Sequence, residues 1–331
     1  MASKLTPAVI AGLVLLCGLP FIVETYTLFN LTVFAAMAIF ALSLGLVWGF
    51  GGILSLGQSV FFGLGAYAYA IAAINFADST PALLAAIVVP TFVALLIGYF
   101  AFFGRVTDVY FGVISLTTSL ILYSLVNSTS DQSFVIGKAP LGGYNGIPSV
   151  PPINWPFMPE WTLGFDEMYY LTGALLLAVY IGLRLLLSSP FGRVCIGVRE
   201  SEARAELLGY DSRRYKLAMF CIGAAVAGLA GALFAAWGSF IGPDSFSVSF
   251  AAQAIIWVMF GGLGTLIGPV IGCILLQAVT TWLGQVKIVD PNIVLGSIFI
   301  AAVLLLPQGI VPTLQGVSRR IAVRLKQGRP S

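Results

Sequence analysis

Apolar residues fill this chain in blocks about twenty residues long, and Gly, Pro and charged residues collect between the blocks. The longest uncharged stretch, Leu28 to Ala77, is broken in its middle by Gly49, Gly51, Gly52 and Gly57. About 20 apolar residues cross a bilayer, so the stretch predicts two membrane helices joined by an irregular link. Backbone loosened at membrane depth is tolerated only where it is buried in protein or lines a cavity. The break therefore points to a pathway.

The same pattern predicts about ten spans: Ala8 to Val23, Leu28 to Phe50, Val60 to Ala77, Leu83 to Phe103, Val109 to Asn127, Met168 to Leu187, Leu217 to Trp237, Ala251 to Gly261, Pro269 to Leu283 and Ile293 to Leu306. The eighth is too short to cross alone. It becomes a discontinuous span if Gly262 to Gly268 supplies its unwound half, an arrangement used at transporter sites. The expected fold is an all-α polytopic integral membrane protein, with some helices discontinuous at Gly-rich breaks. It forms a single transmembrane domain over residues 1–331. Lys4 precedes the first apolar block and no clean cleavage site follows, so that block reads as a retained helix.

Composition extends this to the whole molecule. The chain is 59% hydrophobic and 9% charged, with mean hydropathy +1.00, against roughly 25% charged in soluble domains. A net charge of +3 spread over connecting loops gives no footprint for nucleic acid. Lys and Arg favour cytoplasmic loops, and alternation from Lys4 puts Arg105, Arg193 to Lys216 and the tail Arg319 to Arg329 on one side. Both termini are then cytoplasmic, with a cytoplasmic loop over 188–216 and a basic tail over 315–331. The segment 128–167, rich in Pro, Gly and aromatics, becomes an ordered outer loop.

Catalytic chemistry finds no support. The chain has no histidine, no H-E-x-x-H and no G-x-x-x-x-G-K-[ST] phosphate loop, so neither a metal site nor an ATPase of its own is expected. Cys17, Cys195, Cys221 and Cys273 stand apart and read as packing residues. Coupled carriers usually keep ionisable groups within their spans, whereas Glu24, Asp78, Arg105, Asp108 and Asp244 fall near predicted ends. Energy for uphill movement would come from another subunit.

Three constellations remain. Around the first break, Ser55, Gln58 and Ser59 offer neutral hydrogen-bonding groups to a solute, while nearby Gly63 and Gly65 also suit plain helix packing. Gly261-Gly262-Leu263-Gly264-Thr265 echoes the first block, and paired interruptions in two halves point to a transporter site, which adds Thr265. The third is the segment from Ser189 through Arg199-Glu200-Ser201-Glu202 to Gly209. Its acidic start, helix formers and terminal Gly predict a short cytoplasmic helix, read either as a solvated face or as a docking element.

The Gly51 to Tyr67 block, Ser189-Pro190-x-Gly192-Arg193, Arg199-Glu200-x-Glu202 to Gly209, Ala227 to Leu233 and Gly261-Gly262-x-Gly264-Thr265 occur in an order that resembles the permeases of branched-chain amino acid ABC importers. The LivM type is nearest, with features of its urea-transporting relative UrtC. That resemblance implies a permease subunit of the bacterial inner membrane that forms half of a pathway for branched-chain amino acids, or for urea or a similar short amide. It implies alternating access, a second related permease as heterodimer partner, two cytoplasmic ATPases and an extracytoplasmic solute-binding protein. ATP and Mg would sit on the ATPases, with no cofactor on this chain. Arg199, Glu200, Glu202, Ala205, Leu208 and Gly209 would couple to the ATPases. Gly143, Tyr144 and Asn145, within Gly142-Gly143-Tyr144-Asn145-Gly146, would meet the binding protein. Arg204-Ala205 departs from the two small residues usual in the family loop, and Gly209-Tyr210-Asp211 with Ile256-Trp257-Val258 leans to the urea branch. The alternative from another class is a passive channel for a small neutral solute, since pore selectivity can rest on diameter and lining hydrogen bonds.

Overall fold

The computed structural model describes residues 5–21, 23–131, 133–155, 158–286, 296–297, 300 and 309–313. Lys4, most of the predicted span Ile293 to Leu306 and the basic tail lie outside the described residues. Helices run as α1 (Leu5–Gly18), α2 (Thr25–Gly49), α3 (Ser59–Phe76), α4 (Ser79–Phe103), α5 (Asp108–Ser128), α6 (Phe165–Ser188), α7 (Pro190–Glu200), α8 (Glu202–Leu207), α9 (Ser212–Gly238), α10 (Val248–Gly261) and α11 (Ile267–Val286). Among the described residues seven helices are long and apolar enough to cross a membrane: α2 to α6, α9 and α11. This is a multi-pass membrane protein. The expected ten compares with seven because α1 and α10 have only 14 residues each and most of the last predicted span is not described.

Helix α2 is the central element. It is apolar all round, as a helix enclosed by others must be, and every residue from Thr32 to Val47 is buried. Helices α6, α9, α10 and α11 surround it. In lipid the hydrophobic effect does not hold helices together, so close packing of small residues has to do so. The α3–α9–α4 layer shows how. A Cβ on Gly231 would lie 2.0 Å from the Phe62 carbonyl oxygen of α3, and one on Gly228 would lie 2.2 Å from the Ala86 oxygen of α4. Pro90 within α4 has no N–H to bond Ala86 in the usual helical way, which leaves that carbonyl open to the approaching α9 backbone. Aromatic rings fill the remaining space, with Phe220 edge-on to Phe61, Phe102 and Phe111.

The two ends differ in chemistry. At the charged end Lys216 of α9 pairs with Glu202 of α8 at 2.8 Å and with Asp108 of α5 at 3.3 Å. At the loop end the described residues between 129 and 163 form a cap with short strands β1 (Val135–Ile136), β2 (Ala139–Pro140), β3 (Ile147–Pro148), β4 (Asn154–Trp155) and β5 (Met158–Thr162). Strand β3 pairs antiparallel with β6 (Phe240–Ile241), which follows α9. Polar side chains fasten the cap to the helices. Asn75 of α3 donates to the Ile136 carbonyl and accepts from the Lys138 N–H, and the Tyr69 hydroxyl donates to the Pro151 carbonyl. Asn154 accepts from the Ser79 N–H and donates to Asp78. The Thr80 N–H and the Asn154 amide hold the Asp78 carboxyl below its ordinary value.

Candidate functional site

Two irregular stretches meet against α5. The first is the break Gly51 to Gln58 between α2 and α3. The second runs from Ser239 to Ser247, between α9 and α10, and includes a turn of 3-10 helix at Pro243–Phe246. Placing the unwound partner of α10 at Gly262 to Gly268 therefore needs correction. That stretch is a tight turn between α10 and α11, where Gly261 packs on the Gly268 carbonyl, and the long unwound segment lies on the N-terminal side of α10. A span that short can be completed from either end, and hydropathy does not distinguish them.

Ser115 and Ser119, buried on α5, fasten both stretches. The Ser115 hydroxyl accepts from the Leu56 and Gly57 N–H groups at 3.1 and 3.2 Å and donates to the Gly112 carbonyl. Ser119 donates to the Phe246 carbonyl at 2.6 Å, so in the 2.9 Å contact with Ser59 the Ser59 hydroxyl must be the donor. At 1.5 Å per residue from Asp108, Ser115 and Ser119 lie roughly 10 and 16 Å along the helix, well inside a hydrocarbon layer of about 30 Å. Irregular backbone is thus held at membrane depth by hydroxyls, as its unpaired N–H and C=O groups require.

Each residue expected to line a pathway has a definite place. Ser55, Gln58 and Ser59 are buried, and Gln58 donates to Ser43 at 3.3 Å, which itself donates to the Phe40 carbonyl. The Ser55 hydroxyl and the Gln58 carbonyl oxygen have no partner among the described residues. Thr265 closes the α10–α11 turn, donating to the Gly262 carbonyl and accepting from the Gly268 N–H. Sequence reasoning missed Ser43, Ser115 and Ser119, although Gly112, Ser115 and Ser119 form a small-residue stripe at helical spacing. It placed Asp244 near a span end, and the residue does lie between the end of α9 and the start of α10. Asp244 stands exposed on the stretch that descends from Ile241, paired with the cap, to Phe246, bonded to Ser119.

The charged end carries the second half of the site. Two helices form where one was expected, because Ser189 and Ser201 each provide an N-cap, accepting from Gly192 and Arg204 N–H groups. Gly209 ends α8 at φ +86°, where L residues are strained. Between α7 and α8 lies an open cavity of about 480 Å³ lined by Pro190, Arg193, Gly197, Glu200, Arg204 and Leu208. Leu207 and Leu208 are 87% and 78% exposed, an uncovered apolar edge beside it. Of the six coupling candidates, Glu200, Ala205 and Leu208 line this cavity, with Ala205 on the buried face of α8, Gly209 ends that helix, and Glu202 turns away to Lys216. Arg199 points inward, donating to the Gly49 carbonyl and pairing with Glu200. That contact holds the Glu200 carboxyl below its ordinary value. Burial alone would raise Glu202, but the hydrogen bond and charge of Lys216, with Arg105 nearby, outweigh it and leave its carboxyl lowered. At the loop end Tyr144 and Asn145 are exposed, whereas Gly143 is buried against Ser130. Among the described residues no group of His, Cys, Asp and Glu is arranged to hold a metal ion.

A bundle of membrane helices interrupted at depth, with a helical segment exposed at the charged end, defines the class of multi-pass transport permeases. Residues 26–307 match the family described as branched-chain amino acid transport system / permease component, and the chain belongs to it. It is 29% identical over 347 aligned positions to the high-affinity branched-chain amino acid transport system permease protein LivM of Escherichia coli (strain K12), covering 96% of this chain and 76% of that one. The LivM protein of Salmonella typhimurium is 27% identical with the same coverage. A probable branched-chain amino acid transport permease protein LivM of Methanocaldococcus jannaschii is 29% identical over 136 positions, 40% of this chain and 38% of the relative. No solved structure matches the chain.

Proposed function

We propose that this chain is the membrane half-pathway of an ATP-driven importer of branched-chain amino acids. The charged end faces the cytoplasm of a bacterial cell and the capped end faces outward. A second permease completes the pathway, two ATPases bind the α7–α8 segment, and a solute-binding protein docks on the cap near Tyr144 and Asn145. The observation that carries this reading is the cavity between α7 and α8 with Leu207 and Leu208 exposed at its edge, a surface that suits a protein partner and that a self-contained pore does not need. ATP and Mg belong on those ATPases, since this chain has no phosphate loop.

Within the pathway, the break beside α5 is the part that rearranges. Ser55 and the Gln58 oxygen are the free hydrogen-bonding groups there, and Ser59 and Thr265 hold the irregular backbone in shape. Asp244, an exposed carboxylate in the link between α9 and α10, favours an amino acid over urea, because it attracts an ammonium group and offers a neutral amide much less. Alternating access follows if nucleotide shifts the ATPases between two arrangements with different affinity for the two permease states. Gentle purification of the tagged chain from native membranes, with identification of whatever accompanies it, tests the assembly. Recovery of a second permease and P-loop ATPases supports the reading. Recovery of the chain alone as a stable homo-oligomer sends it to the passive channel.

A further inference from the structure

Arg199 joins the exposed segment to the interior. It lies in the last turn of α7, and its side chain is 32% exposed. The last carbonyls of α2 need partners, and the break supplies three of them. The Leu46 carbonyl accepts from the Phe50 and Gly51 N–H groups, Val47 from Ile53 and Trp48 from Gly52. The Gly49 carbonyl is the fourth, and it accepts from the Arg199 guanidinium. A cation at the negative end of a helix adds to that bond. Both glycine breaks close around the same side chain. A Cβ on Gly52, at φ +72°, would lie 2.7 Å from Arg199 Cγ, one on Gly264 would lie 4.0 Å from its Nη1, and one on Gly49 would lie 3.1 Å from the Gly264 nitrogen. The other face of the guanidinium holds Glu200, which lines the α7–α8 cavity.

We propose that Arg199 is a positioning residue for transport: it couples movement of the α7–α8 segment to the end of α2 and to the α10–α11 turn. A docking contact would line the cavity, which Arg199 does not. The guanidinium bonds the end of α2 directly from α7, so a displacement of α7 reaches that helix end through one charge-assisted bond. Glycine at 52 lets the Arg199 side chain sit that close, and glycine at 49 lets the α10–α11 turn approach the end of α2. The inference rests on the importer reading above and concerns how its stroke is transmitted.

The test uses the complete complex in proteoliposomes, comparing the natural chain with the Arg199→Gln and Arg199→Lys variants. Subunit content, ATP hydrolysis and labelled leucine uptake are measured together. The expected result is that Arg199→Gln retains its full complement of subunits and hydrolyses ATP, while leucine moved per ATP falls about tenfold, the scale of losing one charge-assisted hydrogen bond. Arg199→Lys, with the charge but not the fork, restores part of the ratio. Unchanged coupling in Arg199→Gln overturns the proposal. So does loss of subunits or of folded protein in both variants, which would make Arg199 a structural or docking residue. A natural complex whose uptake ignores ATP fails the importer reading itself, a result visible before any variant is compared.

Discussion

The close approach of α3, α4 and α9 predicts opposite outcomes for two chemically identical substitutions. In Gly231→Ala the new methyl would sit 2.0 Å from the Phe62 carbonyl oxygen and 2.9 Å from the Ala66 nitrogen. A relaxed carbon–oxygen contact is about 3.3 Å, so the helices must part by roughly 1.3 Å. Both clashing atoms belong to backbone, and no side chain can rotate away. Overpacking costs typically 1–3 kcal/mol, and a clash with backbone belongs near the top of that range, about 3 kcal/mol. Gly182 of α6 is exposed with nothing within 4 Å of its missing methyl. There Ala stabilises the helix by about 0.5 kcal/mol through reduced backbone freedom. Thermal unfolding in detergent, followed by tryptophan fluorescence, should show Gly231→Ala lowered by about 5–10 °C and Gly182→Ala unchanged or slightly raised. Equal shifts in the two variants would refute the packing argument.

Four further expectations follow from the site. Ser119→Ala strands the Phe246 carbonyl and the Ser59 hydroxyl, so it should destabilise the protein by about 1–3 kcal/mol, and Ser119→Thr, which keeps a hydroxyl, should recover part of that in the same melting assay. Leu208→Asp places a charge on the exposed apolar edge and should uncouple ATP hydrolysis from uptake while the chain folds normally; normal uptake by that variant would remove Leu208 from the docking surface. Asp244→Asn should weaken leucine uptake by up to about fivefold, the scale of an exposed charge pair, while leaving the melting curve in place, and unchanged uptake would take the substrate's ammonium elsewhere. Glu202 is lowered in the folded state, so its contribution is complete above the ordinary carboxylate value of about 4.3 and is lost as pH falls through the lower folded value. With Lys216 11% exposed but Glu202 46% exposed, screening limits the pair to about 1 kcal/mol. The stability gap between the natural chain and Glu202→Gln should therefore hold from pH 5 to 8, where Glu202 stays charged, and close only in stronger acid; a gap that persists in strong acid would contradict the pairing.

The parts of the fold legible in the sequence are those that a bilayer dictates. Helices α2 to α6, α9 and α11 fall within a few residues of their predicted blocks, because length and the absence of charge are direct consequences of hydrocarbon. The glycine break between α2 and α3 was legible for the same reason, since loosened backbone is rare at that depth. What the pattern could not reveal was which groups satisfy the loosened backbone. Ser115 and Ser119 are ordinary small residues until α5 is laid against Leu56, Gly57 and Phe246, contacts more than 50 residues away in sequence. Arg199 shows the same limit. Its charge and its place in a helix were readable, but its inward aim depends on Gly49 and Gly52, some 150 residues away in the chain. The descent of Ser239 to Ser247 escaped notice because its Gly, Pro and Ser composition resembles an ordinary surface turn.

The central claim is that this chain moves branched-chain amino acids as part of an ATP-driven pair. Uptake of labelled leucine into proteoliposomes that carry the natural complex, with ATP on the cytoplasmic side and binding protein outside, tests it most directly. Accumulation above the external concentration that stops when ATP is withheld is the predicted result. Equilibration to the external concentration at the same rate with and without ATP would contradict it.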